Sequence, residues 1–114
     1  ILQSGEALSP QTGAFAEAFA ARSAMALAQV LAPMEKFKRD QLLDVLSQWL
    51  EVLEGALAER SGMTAVSAQS RLLSSSRSSA ELMDAIRHIK KASAYAQGNV
   101  SPAAISGWLM WVLR

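Results

Sequence analysis

The sequence predicts an all-α fold, and three observations support this prediction. Alanine is the commonest residue and leucine is plentiful, whereas valine, isoleucine and threonine are few. Alanine and unbranched side chains lose little conformational freedom in a helix, so this mixture favours helices. No window of about four to eight residues alternates cleanly between apolar and polar side chains, as a half-buried strand would. Because capping residues also flank several apolar segments, we expect a compact bundle of five to six helices.

The first half of the chain is expected to hold three helices. Ser9 is suited to an N-cap and Pro10 to the first helical position, so a helix should begin there. Pro33 indicates a break or the start of a new turn, and Gly62 ends the longest helix. The expected helices cover about 10–22, 23–31 and 35–60.

The second half of the chain should hold the remaining helices. Ser78 followed by Glu81 is a capping-box sequence, which predicts that a helix opens there and continues to about Gln97. Gly98 follows as its C-cap. A shorter helix is expected over about 64–74, a serine-rich turn over 74–79, and a last helix that begins after Ser101 at Pro102.

Composition excludes several kinds of site within this chain. The 114 residues include no cysteine, which excludes a disulfide framework, a thiolate zinc site and a cysteine nucleophile. A single histidine excludes a histidine-based metal cluster, and we expect neither a metal nor another cofactor. The net charge of +1 shows no basic excess that would favour nucleic acid or an anionic membrane. No phosphate-binding glycine motif occurs, and no apolar run approaches the roughly 20 residues of a membrane span.

The long central helix should be apolar over about half of its circumference. One stripe comprises Leu42, Leu46, Leu50, Leu53 and Leu57, and a second comprises Val45, Trp49, Val52 and Ala56. In the last helix a core stripe comprises Ile105, Trp108, Leu109 and Val112. Trp111 is expected on the flank of that stripe and Met110 almost opposite to it. Helices this apolar are typical of a buried position or an interface.

Few residues are candidates for catalysis or for binding charged ligands. Glu51 and Glu54 share a helix face, but that face is the polar one, so we expect solvated carboxylates. His88 could act as a general base oriented by Asp84, although a surface histidine among charges is the preferred interpretation. Two basic clusters could contact phosphates, yet each also suits a solvated helix face. The clusters are Lys36, Lys38 and Arg39, and Arg87, His88, Lys90 and Lys91.

A resemblance to a known family covers about residues 20–114. The pattern L-x-x-A-I-x-x-I-x-x-A is followed by Asn99 and a last helix rich in leucine and tryptophan from Trp108 to Leu113. This region resembles the C-terminal domain of the δ′ subunit of the bacterial DNA polymerase III clamp loader, and the segment KRDQLLDVLSQWLEVLEGAL resembles the long helix that precedes it. The residues that match the first pattern are Leu82, Ala85, Ile86, Ile89 and Ala92.

The resemblance implies a collar domain. In that family five such helical domains form a ring that holds the loader together, whereas nucleotide binding lies in a preceding AAA+ module that is not part of this chain. The implied partners are the γ/τ and δ subunits in DNA replication, with no catalysis, no small-molecule substrate and no DNA or membrane contact by this region. Residues 1–22 would be a linker or an N-terminal helix, such as the end of a preceding domain. Residues 23–114 would be the oligomerisation domain.

A subunit interface is the corresponding site prediction. The candidate residues are Val45, Trp49, Val52, Met110 and Trp111, with Arg87 and Lys91 at the polar rim. The chain begins at Ile1 and shows no signal-peptide pattern, so we expect a piece of a longer, cytoplasmic protein. Three alternatives remain open: a γ/τ collar domain, a small helical nucleic-acid-binding domain, and part of an enzyme that uses His88.

Overall fold

Six α-helices form the part of the protein that the computed structural model describes, which is residues 10–62 and 67–113. They are α1 (Pro10–Ala20), α2 (Ala24–Leu31), α3 (Arg39–Arg60), α4 (Ala68–Ser76), α5 (Ser79–Gln97) and α6 (Pro102–Val112). A 3₁₀ turn, Ala32–Lys36, connects α2 to α3. No strand occurs in these two ranges, and the prediction of an all-α bundle of five to six helices is confirmed.

Serine side chains cap four of the helices at their N-termini. In each case the hydroxyl oxygen accepts a hydrogen bond from a backbone N–H of the first turn, which would otherwise lack a partner. The capping serines are Ser23, Ser67, Ser78 and Ser101. The capping box is confirmed, because the Ser78 hydroxyl accepts from the Glu81 N–H and the Glu81 carboxylate accepts from the Ser78 N–H. The predicted cap at Ser9 lies outside the described residues.

The start of the long helix was predicted wrongly. We expected it to begin at about residue 35, but Phe37 and Lys38 have extended backbone and α3 begins at Arg39. The 3₁₀ turn that contains Pro33 ends with the Phe37 N–H donating to the Met34 carbonyl. Because Met34 is fully buried, this turn directs the chain into the core before α3 starts.

The serine-rich segment is also more helical than its composition suggests. Ser74, Ser75 and Ser76 belong to α4, and only Arg77 and Ser78 separate α4 from α5. The hydroxyls of Ser75 and Ser76 both donate to the Leu72 carbonyl, which satisfies them inside their own helix. The expectation of a turn over 74–79 is therefore corrected. The predicted start of α4 at about Thr64 lies outside the described residues.

The core is arranged around α3, which contacts α1, α4 and α5. Trp49 is fully buried on α3, and its ring stacks on Phe15 of α1 with 4.1 Å between centroids and 7° between planes. Val45 and Val52 are also buried, with 5% and 3% of their surface exposed. These three residues were predicted to reach a partner subunit. That prediction is corrected, because the neighbouring helices of the same chain already cover them.

Two buried serine hydroxyls join helices that are distant in sequence. The Ser106 Oγ on α6 donates to the Leu31 carbonyl at the end of α2, with 2.6 Å between the oxygens. The Ser70 Oγ on α4 donates to the Val52 carbonyl on α3 at 3.1 Å. Each hydroxyl is small enough for close helix packing, and each is satisfied despite its complete burial. The first of these bonds fixes α6 beside α2.

We expect Trp49 to dominate the stability of the core through its volume and not through its polar N–H. Its Nε1 is buried with no hydrogen-bond acceptor among the described residues. Trp49→Ala should lower the free energy of unfolding by about 3–5 kcal/mol, because it leaves a large cavity. Trp49→Phe should cost under about 1.5 kcal/mol, because it keeps a ring on Phe15 and removes the unsatisfied N–H. Urea denaturation followed by circular dichroism measures both, and equal losses would contradict this account of the site.

Candidate interaction surface

The helices α2 and α6 lie side by side and carry no charged side chain. No Asp, Glu, Lys or Arg occurs in residues 23–34 or 100–113, although 18% of the whole chain is charged. The two helices are in contact, and the bond from Ser106 to Leu31 holds them together. We define the α2–α6 face as the outward residues of this pair: Ala24, Met25, Ala28, Gly107, Met110 and Trp111.

Two large apolar side chains on this face are exposed. Trp111 has 70% of its surface accessible and Met25 has 73%. Between the helices lies a shallow recess lined by Ala24, Ala28, Gly107, Met110 and Trp111 itself. A Cβ atom added at Gly107 would meet nothing within 4 Å, so glycine leaves this part of the recess open. The face therefore combines a projecting indole with an adjoining hollow.

A second apolar groove borders the other side of α2. It lies between α1 and α2, has a volume of about 570 Å³, and is lined mainly by Pro10, Ala14, Ala18, Ala21, Ala26 and Val30. The exposed residues Met25, Gln29 and Ala32 form a ridge between the groove and the recess. The ridge carries no charged side chain.

The predicted roles of Met110 and Trp111 are exchanged in the structure. Met110 was expected on the outer surface, but it is half-buried and packs against the core. Trp111, expected on the flank, is the residue that projects into solvent. The reason is the position of α2. It packs against the side of α6 that the helix periodicity alone predicted to be exposed. Both residues line the recess, so both remain candidates for an interface.

The candidate rim residues lie on α5 and do not line the recess. Arg87 and Lys91 are exposed, and Arg87 forms an ion pair with Asp84 on its own helix. Between them in the middle of α5, His88 is half-buried, and its ring meets the Trp108 ring edge-on with 5.7 Å between centroids. The proposed contribution of Arg87 and Lys91 to an interface stays a prediction.

His88 lacks the partner that a general base would need. Asp84, expected to orient it, instead pairs with Arg87, and no hydrogen bond joins Asp84 to His88 within the described ranges. Burial, followed by the charges of Arg87 and Lys91, lowers the pKa of His88 below its usual value. The imidazole therefore favours its neutral form and packs on Trp108. Glu51 and Glu54 are exposed on α3, as the solvated-face interpretation predicted.

A charged cluster that the sequence did not reveal joins α1 to α5. Glu81 accepts from Arg22 through both carboxylate oxygens, at 2.6 and 2.8 Å, and from Arg77 at 3.0 Å. The buried Arg77 guanidinium also lies 3.9 Å from the Phe19 ring centroid, and its Nε donates to the Phe19 carbonyl. The only sequence signal was the capping box at Ser78 and Glu81, because the arginines are 59 and 4 residues away from Glu81.

The cluster perturbs the protonation of its members in opposite directions. The hydrogen bond from Arg22, and then that from the Ser78 N–H, hold the pKa of Glu81 far below its usual range. The bond to Glu81 raises the pKa of Arg22, whereas burial lowers the pKa of Arg77. All three groups are charged at neutral pH. The arrangement is a structural clamp between the α1–α2 turn and the first turn of α5.

Other kinds of site were sought in the same residues. Across 10–62 and 67–113 no group of three histidine, aspartate or glutamate side chains is arranged to hold a metal ion. Within those limits no helix is both long and apolar enough to cross a membrane.

Comparisons of the chain with models of known protein families, with curated proteins and with solved structures gave no match.

We expect the Arg22–Glu81–Arg77 cluster to make stability depend on pH in the acidic range. The pKa of Glu81 is lower in the folded than in the unfolded state, so its stabilisation is complete above the unfolded-state value of about 4.3 and is lost as pH falls below it. Glu81→Gln should lower the melting temperature at pH 7 and reduce its fall between about pH 5 and pH 2.

Asp84→Asn is the matched control on the same helix. The pair of Asp84 with Arg87 is exposed on both sides, so its removal should change stability little. Thermal unfolding of both variants across the pH range measures the difference. Indistinguishable profiles for Glu81→Gln and Asp84→Asn would refute a special role for the cluster.

Gly107→Ala should stabilise the folded chain. The residue lies inside α6, has open space where a Cβ would stand, and is exposed. Alanine reduces the conformational freedom of the unfolded chain, so the free energy of unfolding should rise by about 0.5–1 kcal/mol. Chemical denaturation measures this change, and a destabilised variant would show that the recess is not open as described.

Proposed function

We propose that this chain is a non-catalytic oligomerisation domain, the collar-type C-terminal domain of a bacterial clamp-loader subunit of the δ′ kind. The observation that carries the proposal is the α2–α6 face. On this reading the domain binds the γ/τ and δ subunits and helps to hold a cytoplasmic replication complex together. Its contribution is the contact surface, and the nucleotide chemistry of the complex belongs to other modules.

The composition of the α2–α6 face supports a protein partner. Tryptophan and methionine are enriched at the centres of interfaces, where charged residues are depleted. Trp111 and Met25 are each more than two-thirds exposed, on a pair of helices that has no charge to keep it hydrated. Tryptophan is enriched among the hot-spot residues of interfaces, which fill well-packed pockets near the centre of the contact. A second domain would bury these side chains.

The residues that carry the family resemblance lie where a packed helical domain needs them. Five positions of the quoted pattern form the buried side of α5: Leu82, Ala85, Ile86, Ile89 and Ala92. Asn99 has a positive φ of 70°, which asparagine tolerates better than most residues, and its side-chain oxygen accepts from Arg39. These features support the assignment by giving each matched position a structural role.

The test mixes this chain with the C-terminal region of a γ/τ subunit from the same organism. Size-exclusion chromatography with light scattering should show a heavier species that contains both chains. Trp111→Glu should abolish or weaken this species by at least about thirtyfold in dissociation constant, because it places a charge in the buried centre of the interface. Met83→Glu is the matched control, since Met83 is also exposed and apolar but lies on α5.

The outcomes separate the proposal from its alternatives. Co-elution that Trp111→Glu removes and Met83→Glu preserves supports the collar assignment. If this chain and the γ/τ region do not co-elute, the experiment is repeated with full-length subunits. If the full-length subunits then fail to assemble through this domain, the assignment is wrong. Binding to duplex DNA with a steep salt dependence, lost on replacing Lys90 and Lys91, would favour the nucleic-acid alternative instead.

A further inference from the structure

We propose that the cavity beside the Arg22–Glu81–Arg77 cluster binds a small free oxyanion of the class of inorganic phosphate. The cavity has a volume of about 200 Å³ and is lined by residues from the α1–α2 turn, the start of α5 and the end of α6. The inference concerns a ligand of this chain alone and does not rest on the partner proposed above, so the two proposals can fail separately.

The charges that line this cavity do not cancel. Among its described lining residues, only Arg22, Arg77 and Glu81 are charged. The two guanidinium groups share the Glu81 carboxylate, with Arg22 donating at 2.6 and 2.8 Å and Arg77 at 3.0 Å. One positive charge therefore has no carboxylate of its own beside the cavity.

Burial makes this surplus charge costly at Arg77. Arg77 has only 9% of its surface exposed, and a buried ion needs a partner to offset the loss of its hydration. Burial, followed by the charge of Arg22, lowers the pKa of Arg77. An anion in the cavity would offset the charge of Arg22 and give the second guanidinium a partner. A neutral or apolar ligand would do neither.

Three lining residues also hold donor groups that an oxyanion can use. Within the described part of the chain, Arg22 Nε and Arg77 Nη2 enter no hydrogen bond. The Ser23 hydroxyl accepts from the Ala26 N–H, which leaves its own proton free to donate. Guanidinium groups match the geometry of oxyanions, and hydrogen bonds between ions are among the strongest in proteins. The cavity thus offers donors as well as charge.

An adjoining cavity shows by contrast why this one suits an anion. The second cavity, of about 140 Å³, also borders Arg77 and Glu81, but Asp84 and His88 line it as well. Its carboxylates outnumber its guanidinium group, and the imidazole favours its neutral form. An anion would be repelled there. The Arg22 side of Arg77 is therefore the side that we assign to the ligand.

An NMR titration of the 114-residue chain with sodium phosphate tests the proposal. The ionic strength is held constant with sodium chloride at pH 7, and the amide signals of an ¹⁵N-labelled sample are followed. We expect saturable shifts centred on residues 19–24 and 77–81, and sulfate should reproduce them. Chloride alone should not.

Two substitutions should move the dissociation constant for phosphate in opposite directions. Arg22→Gln removes the surplus cation and should raise the constant about tenfold, whereas Glu81→Gln removes the competing carboxylate and should lower it about tenfold. Both substitutions break the same clamp, so a purely structural effect would weaken binding in both. Arg87→Gln and Asp84→Asn are the matched controls. They change the net charge equally at an exposed ion pair and should leave the constant unchanged.

Three outcomes would overturn the inference. The first is a response to phosphate no larger than that to chloride. The second is a set of shifts centred on another basic cluster, such as Lys36, Lys38 and Arg39. The third is weaker binding by folded Glu81→Gln than by Asp84→Asn. Circular dichroism establishes that each variant is folded, and if Arg22→Gln does not fold, the comparison of Glu81→Gln with Asp84→Asn decides.

Discussion

The width of the apolar surface on α3 is the constraint on which the rest of the fold depends. Its two stripes cover about half of the helix, so one neighbouring helix cannot bury them both. Three helices of the same chain complete the burial, and the stacked pair of Trp49 and Phe15 marks the contact with α1. Seven of the nine stripe residues are buried by the same chain and the other two, Leu50 and Leu57, are half-buried. The exposed side of α3 is the polar one, with Glu51 and Glu54.

The outer surface follows from how the remaining helices are attached to this centre. The clamp of Arg22, Arg77 and Glu81 secures the end of α1 to the start of α5, and the bond from Ser106 to Leu31 secures α6 to α2. As a result α2 and α6, the two helices without charge, form one continuous surface at the side of the bundle. The chain thus keeps its charged residues on other elements and presents an apolar face that a partner can cover.

The features that were predicted correctly from the sequence are those that local interactions determine. The capping box at Ser78 and Glu81 and the cap at Ser101 placed two helix starts correctly, because each depends on residues within one turn. The prediction that Trp49 contacts a partner failed, since helix periodicity defines an apolar side but does not say whether the same chain or another covers it. The exchange of Met110 and Trp111 has the same cause. The Arg22–Glu81–Arg77 cluster was not predicted, because Arg22 and Glu81 are 59 residues apart in the sequence.

Hydrogen–deuterium exchange on the chain, alone and mixed with the γ/τ C-terminal region, tests the central claim most directly. That claim is that α3 serves the core and that the α2–α6 face serves the partner. The account predicts that binding adds protection over residues 24–32 and 103–112 and leaves that of 40–54 unchanged. New protection along α3, with α2 and α6 exchanging as in the free chain, would contradict it and restore Val45, Trp49 and Val52 as interface residues.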